Sequence, residues 1–360
     1  MRAEASWAEI DTAALRHNLE KVSQLVPQQP VMAVVKANAY GHELGLVIGA
    51  LDEVDALAVA RVEEGAAARA HGFGGAITVL EGALGHVDLE LARQYRLRLV
   101  AHNEQQVDQL CDMTAGRLDV WLKIDSGMHR LGVDPGHSKE LYQRLSQSQA
   151  VRQPPGLMTH FACADEPDNP LTRSQFNLFT EFTGGLAGER SIGNSAAIMA
   201  WPQFCQGWLR PGIMLYGISP FADSTGPAHG LQPAMTFRSR LIAVRTVRAG
   251  EAVGYASTWS ATRDTRIGTA AVGYGDGYPG NLPAMTPVLV GDQPASLAGR
   301  VSMDMITIDL GPDSEAGIGD EVTLWGRGLP VETIARACGR IPYELVCGVS
   351  QRVPRIAVSS

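Results

Sequence analysis

A chain of 360 residues is too long for one ordinary hydrophobic core, so one large domain plus a smaller one is expected. With 45% hydrophobic and 19% charged residues, its composition is that of a globular protein, and no apolar run is long enough to span a bilayer. A formal net charge of -8 argues against a nucleic-acid partner, and five widely spaced cysteines without a CxxC support neither a disulfide framework nor a zinc site.

The first segment, MRAEASWAEIDTAALRHN, carries acidic residues where a signal peptide would be apolar, so it reads as a mature, cytoplasmic start. Within it, ASWAEID has strand character and precedes the helix-like TAALRHNLEKVSQL. Short apolar runs then alternate with amphipathic stretches as far as residue 216. The runs are Val31–Val35, Ala56–Ala60, Ala76–Leu80, Leu97–Ala101, Leu118–Ile124, Gly156–His160, Arg190–Gly193 and Leu209–Tyr216. Between them lie helical segments such as ARVEEGAAARAHG, NEQQVDQLCDM and TRSQFNLFTEF. Strand and helix thus alternate about eight times, which predicts a TIM-type (β/α)8 barrel. Periodicity does not show closure, so a doubly wound open sheet is the rival.

After SPFADSTGPAHGLQP the texture changes. The runs MTFRSRLIAVRTV, PVLVGD, MITIDL and EVTLWG, separated by Gly, Asp and Pro, predict a mostly β domain, interrupted by the helical PVETIARACG. The expected division is a barrel over residues 11–232 and a β domain over 233–360, with the strand of residues 1–10 joining the second. One motif is a decoy. GDGYPG, from Gly275 to Gly280, matches the GxGxxG dinucleotide fingerprint, but Pro279 and Asn281-Leu282-Pro283 oppose the helix start that the fingerprint requires.

Catalytic groups of a barrel collect at the C-terminal ends of its strands. Lys36 ends the first run, followed by Asn38 and Tyr40. Lys123 ends the fifth, followed by Asp125 and Arg130. His160 ends the sixth, Asn194 and Ser195 follow the seventh, and Arg210, Gly212 and Ile213 belong to the eighth. Of the 30 basic residues only four are lysine (Lys21, Lys36, Lys123 and Lys139), and two of those end apolar runs. That placement points to amine chemistry, which arginine does not perform. A desolvated Lys36 would be neutral and nucleophilic, able to form a Schiff base with pyridoxal 5′-phosphate; the alternative is a lysine that snorkels to solvent. The phosphate would be met by neutral donors, the Ser195 hydroxyl and the N–H groups of Gly212 and Ile213, since no basic run is present.

AVVKANAYGHE resembles the signature of alanine racemases around their cofactor lysine. The similarity continues, in the family's order, through WLKIDSGMHRLGV, THFACADEP, WLRPGIMLYGISP, VGYASTW, VGYGDGYP, GRVSMDM and PYELVCGVSQRVPR, over nearly the whole chain. The resemblance implies a pyridoxal-phosphate barrel, a C-terminal β domain, alanine as substrate, and a head-to-tail homodimer with shared active sites. Carried over by position, Lys36 matches the cofactor lysine and Tyr255 the second catalytic base. Tyr40, Ser195, Gly212, Ile213 and Tyr343 match phosphate binders. Arg210 matches the arginine facing the pyridine nitrogen, and His160 its neighbour. Arg130 and Met303 match residues handling the substrate carboxylate, Lys123 a lysine carbamylated in many members, and Tyr274 and Asp304 gate and second-subunit positions. Ser126 stands where threonine is usual, and Ala256-Ser257 where glycine is frequent.

Racemisation removes the α-proton from one face and returns one to the other, which two bases on opposite faces can do. Lys36 would serve the D-enantiomer, as family precedent has it, and Tyr255 the L-enantiomer, with His160 and Arg210 as candidates to lower the tyrosine's pKa. Three rival readings stay open. They are a racemase of broader specificity (serine or larger amino acids), a cofactor-binding carrier without catalysis, and a fold-type-III decarboxylase, which Arg210 disfavours. Supplying D-alanine for peptidoglycan and degrading it are equally compatible with the sequence.

Overall fold

The computed structural model describes residues 4–114 and 116–359. Strand β1 (Ser6–Asp11) leads into the helix Thr12–Leu25, whose first turn Asp11 caps: its carboxylate accepts from the N–H groups of Ala13 and Ala14. Seven parallel strands follow in sequence order: β2 (Met32–Val34), β3 (Ala56–Val59), β4 (Ala76–Val79), β5 (Arg98–Ala101), β6 (Val120–Lys123), β7 (Gly156–Met158) and β8 (Arg190–Ser191). Helices cover their outer faces and packed side chains fill the inside, so most of the strands are buried on both faces and read as mainly apolar runs.

An eighth stave closes the ring. Leu209 donates its N–H to Pro30 and Arg210 to Gly193, while Met32 and Val34 donate to the carbonyls of Leu209 and Pro211. Residues 209–211 therefore lie parallel to both β8 and β2, and the open-sheet alternative is excluded. The stave is short. Pro211 has no N–H to give, and Gly212 turns the chain into the 3-10 helix Ile213–Tyr216, so the extended run expected as far as Tyr216 stops at Pro211.

The second sheet is built from β9 (Met235–Val247), β12 (Thr265–Ala270), β13 (Pro287–Val290), β14 (Gln293–Leu297), β15 (Ile306–Gly311), β16 (Glu321–Trp325) and β17 (Arg355–Val358), with β10 (Ala252–Val253) and β11 (Trp259–Ser260) as a separate hairpin. Its order is β12-β15-β14-β13-β16-β9-β1-β17. The 13 residues of β9 serve two sets of partners, β1 and β16 along the first half and β12 along the second. Strand β1, first in the chain, thus belongs to the last sheet.

Two helices of this part reach back to the barrel. Glu332, on Val331–Cys338, accepts the N–H groups of Ser219 and Gly226 at 2.9 and 2.7 Å. The helix Pro342–Gly348 carries Tyr343 to the barrel mouth. No helix among the described residues is long and apolar enough to cross a membrane.

Candidate functional site

A cavity of about 1120 Å³ opens at the C-terminal ends of the barrel strands. Lys36 lies on its wall, one residue beyond β2's last neighbour Val35. The four residues after it, Ala37, Asn38, Ala39 and Tyr40, all adopt left-handed backbone with φ of 53° or 54°. Such a run in L-residues costs about 1–2 kcal/mol each, so its surroundings must impose it. Glu64 does so from one side: one carboxylate oxygen accepts the Ala37 N–H at 2.7 Å and the other the Ala60 N–H at 2.7 Å. The Asn38 side chain accepts the Leu44 N–H at 2.8 Å. From the second domain, Arg355 donates Nε–H to the Gly41 carbonyl at 3.1 Å. Gly41 itself has φ of 79°, and a Cβ there would sit 2.1 Å from the Val346 carbonyl oxygen. Buried His42 donates Nδ1–H to the carbonyls of Ala39 and Tyr40, and burial lowers it to about 4, so its ring is neutral. The turn is pinned from every side, and Lys36 is held at its origin.

At one end of the cavity lies a cradle of neutral donors. Ser195 Oγ accepts the Gly212 N–H at 2.9 Å and leaves its own proton free to donate outward. Ile213 opens a 3-10 helix, so its N–H has no partner within that helix. A Cβ on Gly212 would stand 2.6 Å from the Tyr40 hydroxyl; glycine is what lets that hydroxyl reach the backbone. The Tyr40 ring stacks on Tyr216 at 4.7 Å and lies 6.0 Å from Tyr343. Burial raises both phenols at the mouth, Tyr40 strongly and Tyr343 to about 12, so both stay protonated as donors.

The same cavity also holds cations: Lys36, Lys123, Arg130 and Arg210 line it. Arg210 is buried, and its four donor contacts go to neutral groups. Nη1 donates to Ser191 Oγ at 2.5 Å, and Nη2 to Thr159 O at 2.6 Å, His160 Nδ1 at 3.3 Å and Ile192 O at 3.4 Å. His160 Nδ1 is therefore an acceptor and the ring is neutral; burial and the charge of Arg210 push it well below the ordinary histidine value. Lys123, ending β6, is only 8% exposed. Burial, then Arg210 and Arg130, bring it down to about 7. Asp125 shapes the loop to Arg130 by accepting the N–H groups of Gly127, Met128 and His129, each at 3.0 Å. The Ser126 hydroxyl meets Thr159 at 2.7 Å, so serine suffices at that position.

Four expected residues lie elsewhere. Tyr255 sits on the 3-10 turn Tyr255–Ser257, 70% exposed, and lines a separate shallow cavity with Arg300, Ser302 and Met305. Tyr274 and Met303 are 49% and 54% exposed. Their loops are joined, Tyr274 N–H to Ser302 O and Gly275 N–H to Met303 O, and Asp304 follows. Within one chain this cluster does not line the Lys36 cavity. Ser191, Glu64 and Arg355 also shape the site, and sequence reasoning does not find them: each acts through a contact that only the fold creates.

The family model of the alanine racemase N-terminal domain matches residues 10–220, and that of the C-terminal domain residues 234–357. The curated alanine racemases of Shewanella amazonensis and Aliivibrio salmonicida are each 48% identical to this chain, over 98% and 97% of it and 98% of each relative. The crystal structure of the biosynthetic alanine racemase from Pseudomonas aeruginosa is similar at a TM-score of 0.94 with 47% identity, over 99% of this chain and 100% of that one. The alanine racemase of Acinetobacter baumannii gives 0.93 at 37% identity, over 99% and 100%.

Proposed function

The chain belongs to the alanine racemase family and is an enzyme that interconverts L- and D-alanine, and from that premise we propose that it does so with pyridoxal 5′-phosphate at a site completed by a second copy. The supporting observation is the make-up of the cavity. Neutral donors at Ser195, Gly212, Ile213, Tyr40 and Tyr343 suit a phosphate, and Lys36 stands within the same walls to hold an aldehyde. When bound, the cofactor supplies an electron sink for the pair left on the α-carbon.

The chain's own residues do the rest. Lys36 Nζ would hold the cofactor's aldehyde, and its amine would move the α-proton on one face. The Tyr255 hydroxyl of the second copy moves it on the other. The barrel, taken as residues 11–232, thus contributes the lysine; the β domain, residues 233–360 with strand residues 1–10, contributes the tyrosine. Support for the two-copy arrangement is that Tyr255 lies on an exposed face with Tyr274 and Met303, outside the cavity of its own chain. Arg210, whose contacts are all to neutral groups and whose guanidinium has no basic lone pair, would meet the cofactor's ring nitrogen without taking a proton from it, with His160 beside Arg210. Arg130 and Met303 hold the substrate carboxylate, and Lys123, carbamylated, becomes an anion that pairs with Arg130. Tyr274 and Asp304 border the access path.

Tyr255→Phe separates the two faces. In deuterium oxide the variant should lose α-proton exchange from L-alanine by roughly 100-fold or more, while D-alanine continues to exchange through Lys36. Equal loss for both enantiomers, or no loss for L-alanine, overturns the assignment.

A further inference from the structure

We infer that Arg352 is a positioning residue: it fastens the Tyr274 turn to the Met303–Asp304 loop, so that the surface offered to the second copy's site is built in advance. The inference rests on the reading above that Tyr274 and Met303 complete that site. Arg352 Nε donates to Asp276 Oδ1 at 2.7 Å, and Nη2 donates to Asp304 Oδ1 at 2.7 Å. One planar guanidinium therefore spans two carboxylates on two loops, a fork that an ammonium cannot reproduce.

The inner half of this link is buried. The Asp276 side chain is 6% exposed; its Oδ2 accepts the Gly273 N–H at 2.9 Å and its Oδ1 also meets the Ser6 hydroxyl at 3.4 Å. The outer half is open, with Asp304 58% exposed. Between them the loops are joined backbone to backbone. Tyr274 N–H donates to Ser302 O at 3.0 Å and Gly275 N–H to Met303 O at 2.9 Å. Tyr274 and Met303 hold their half-exposed positions as one body.

The glycines of GYGDG make this possible. A Cβ on Gly273 would stand 2.2 Å from the Ser302 carbonyl oxygen, one on Gly275 would stand 2.8 Å from Arg352 Nη2, and one on Gly277 would stand 2.2 Å from the Gly348 carbonyl oxygen. Two of these three, Gly275 and Gly277, also belong to the dinucleotide-like GDGYPG; here alternate residues from Gly273 to Gly277 are bare so that a loop, a guanidinium and a second backbone can each come close. Without the link, the substrate-facing loops must be ordered when substrate binds, and that ordering weakens binding more than it slows the chemistry.

The test uses the holoenzyme with Arg352→Lys, Asp304→Asn and the double variant. Each single change should raise KM for alanine roughly tenfold with kcat within about twofold, and the double variant should be no worse than Arg352→Lys alone, because both break one link. Asp304→Asn removes an exposed carboxylate and keeps the test valid if Arg352→Lys folds poorly. Unmoved KM with a lowered melting temperature, or effects that multiply in the double variant, overturns the inference. Tyr274→Ala and Met303→Ala separate it from its premise. If they raise KM while the Arg352 and Asp304 variants do not, the positioning role fails alone; if none of the four moves KM, the site reading fails with it.

Discussion

Lys123 is the residue whose state sets the charge of the cavity. Its amine is buried beside Arg210 and Arg130, and only Asp125 pulls in the opposite direction. An unfolded chain keeps this proton up to about 10.5, whereas the folded chain releases it above about 7. A bare amine therefore makes stability rise with pH across that window and is most costly below it. A neutral amine can also react with CO2: the nitrogen bonds to carbon, one C–O π pair moves to oxygen, and a proton leaves. With 13C-bicarbonate at pH 8, the protein should show a carbamate carbon resonance that Lys123→Ala lacks; identical spectra for the two would show the amine to be unmodified. The scarcity of lysine made Lys36 and Lys123 conspicuous in the sequence. The strained turn behind Lys36 was not legible, because Ala-Asn-Ala-Tyr does not announce it. What imposes it lies 27 positions away, from Ala37 to Glu64, and 314 away, from Gly41 to Arg355.

At the scale of elements, the alternation of strand and helix was readable because strands buried on both faces leave continuous apolar runs. Closure was not, since it depends on backbone bonds of Leu209, Arg210 and Pro211 that leave no trace in the side-chain pattern. The same short stave delivers Gly212 to the cradle. Gly212→Ala would place a Cβ 2.6 Å from the hydroxyl of a ring already stacked on Tyr216, so Tyr40 must give way. Losing one hydrogen bond to a charged phosphate, about 1.5–3 kcal/mol, should weaken cofactor binding about ten- to a hundredfold. Titrating pyridoxal 5′-phosphate into the cofactor-free protein measures it, and an unchanged Kd would remove Gly212 from the cradle.

Across the whole molecule, the change of texture near residue 233 and the return of the first strand to the last sheet were legible in sequence, but the reach of Glu332 and Arg355 into the barrel depends on tertiary contacts. The molecule's main feature is a separation: Lys36 and Tyr255 occupy different cavities of one chain, the first at the barrel mouth and the second shallow and on an exposed face. Two copies arranged head to tail would bring each tyrosine to the other's lysine, so neither base needs to cross its own chain. The direct measurement is complementation between Lys36→Ala and Tyr255→Phe, each inactive alone, co-expressed with different tags. Random pairing makes half the dimers hybrid, each with one intact site, so the mixture should regain about a quarter of wild-type racemase activity. A mixture as inactive as its components would place both bases in one chain and contradict the account.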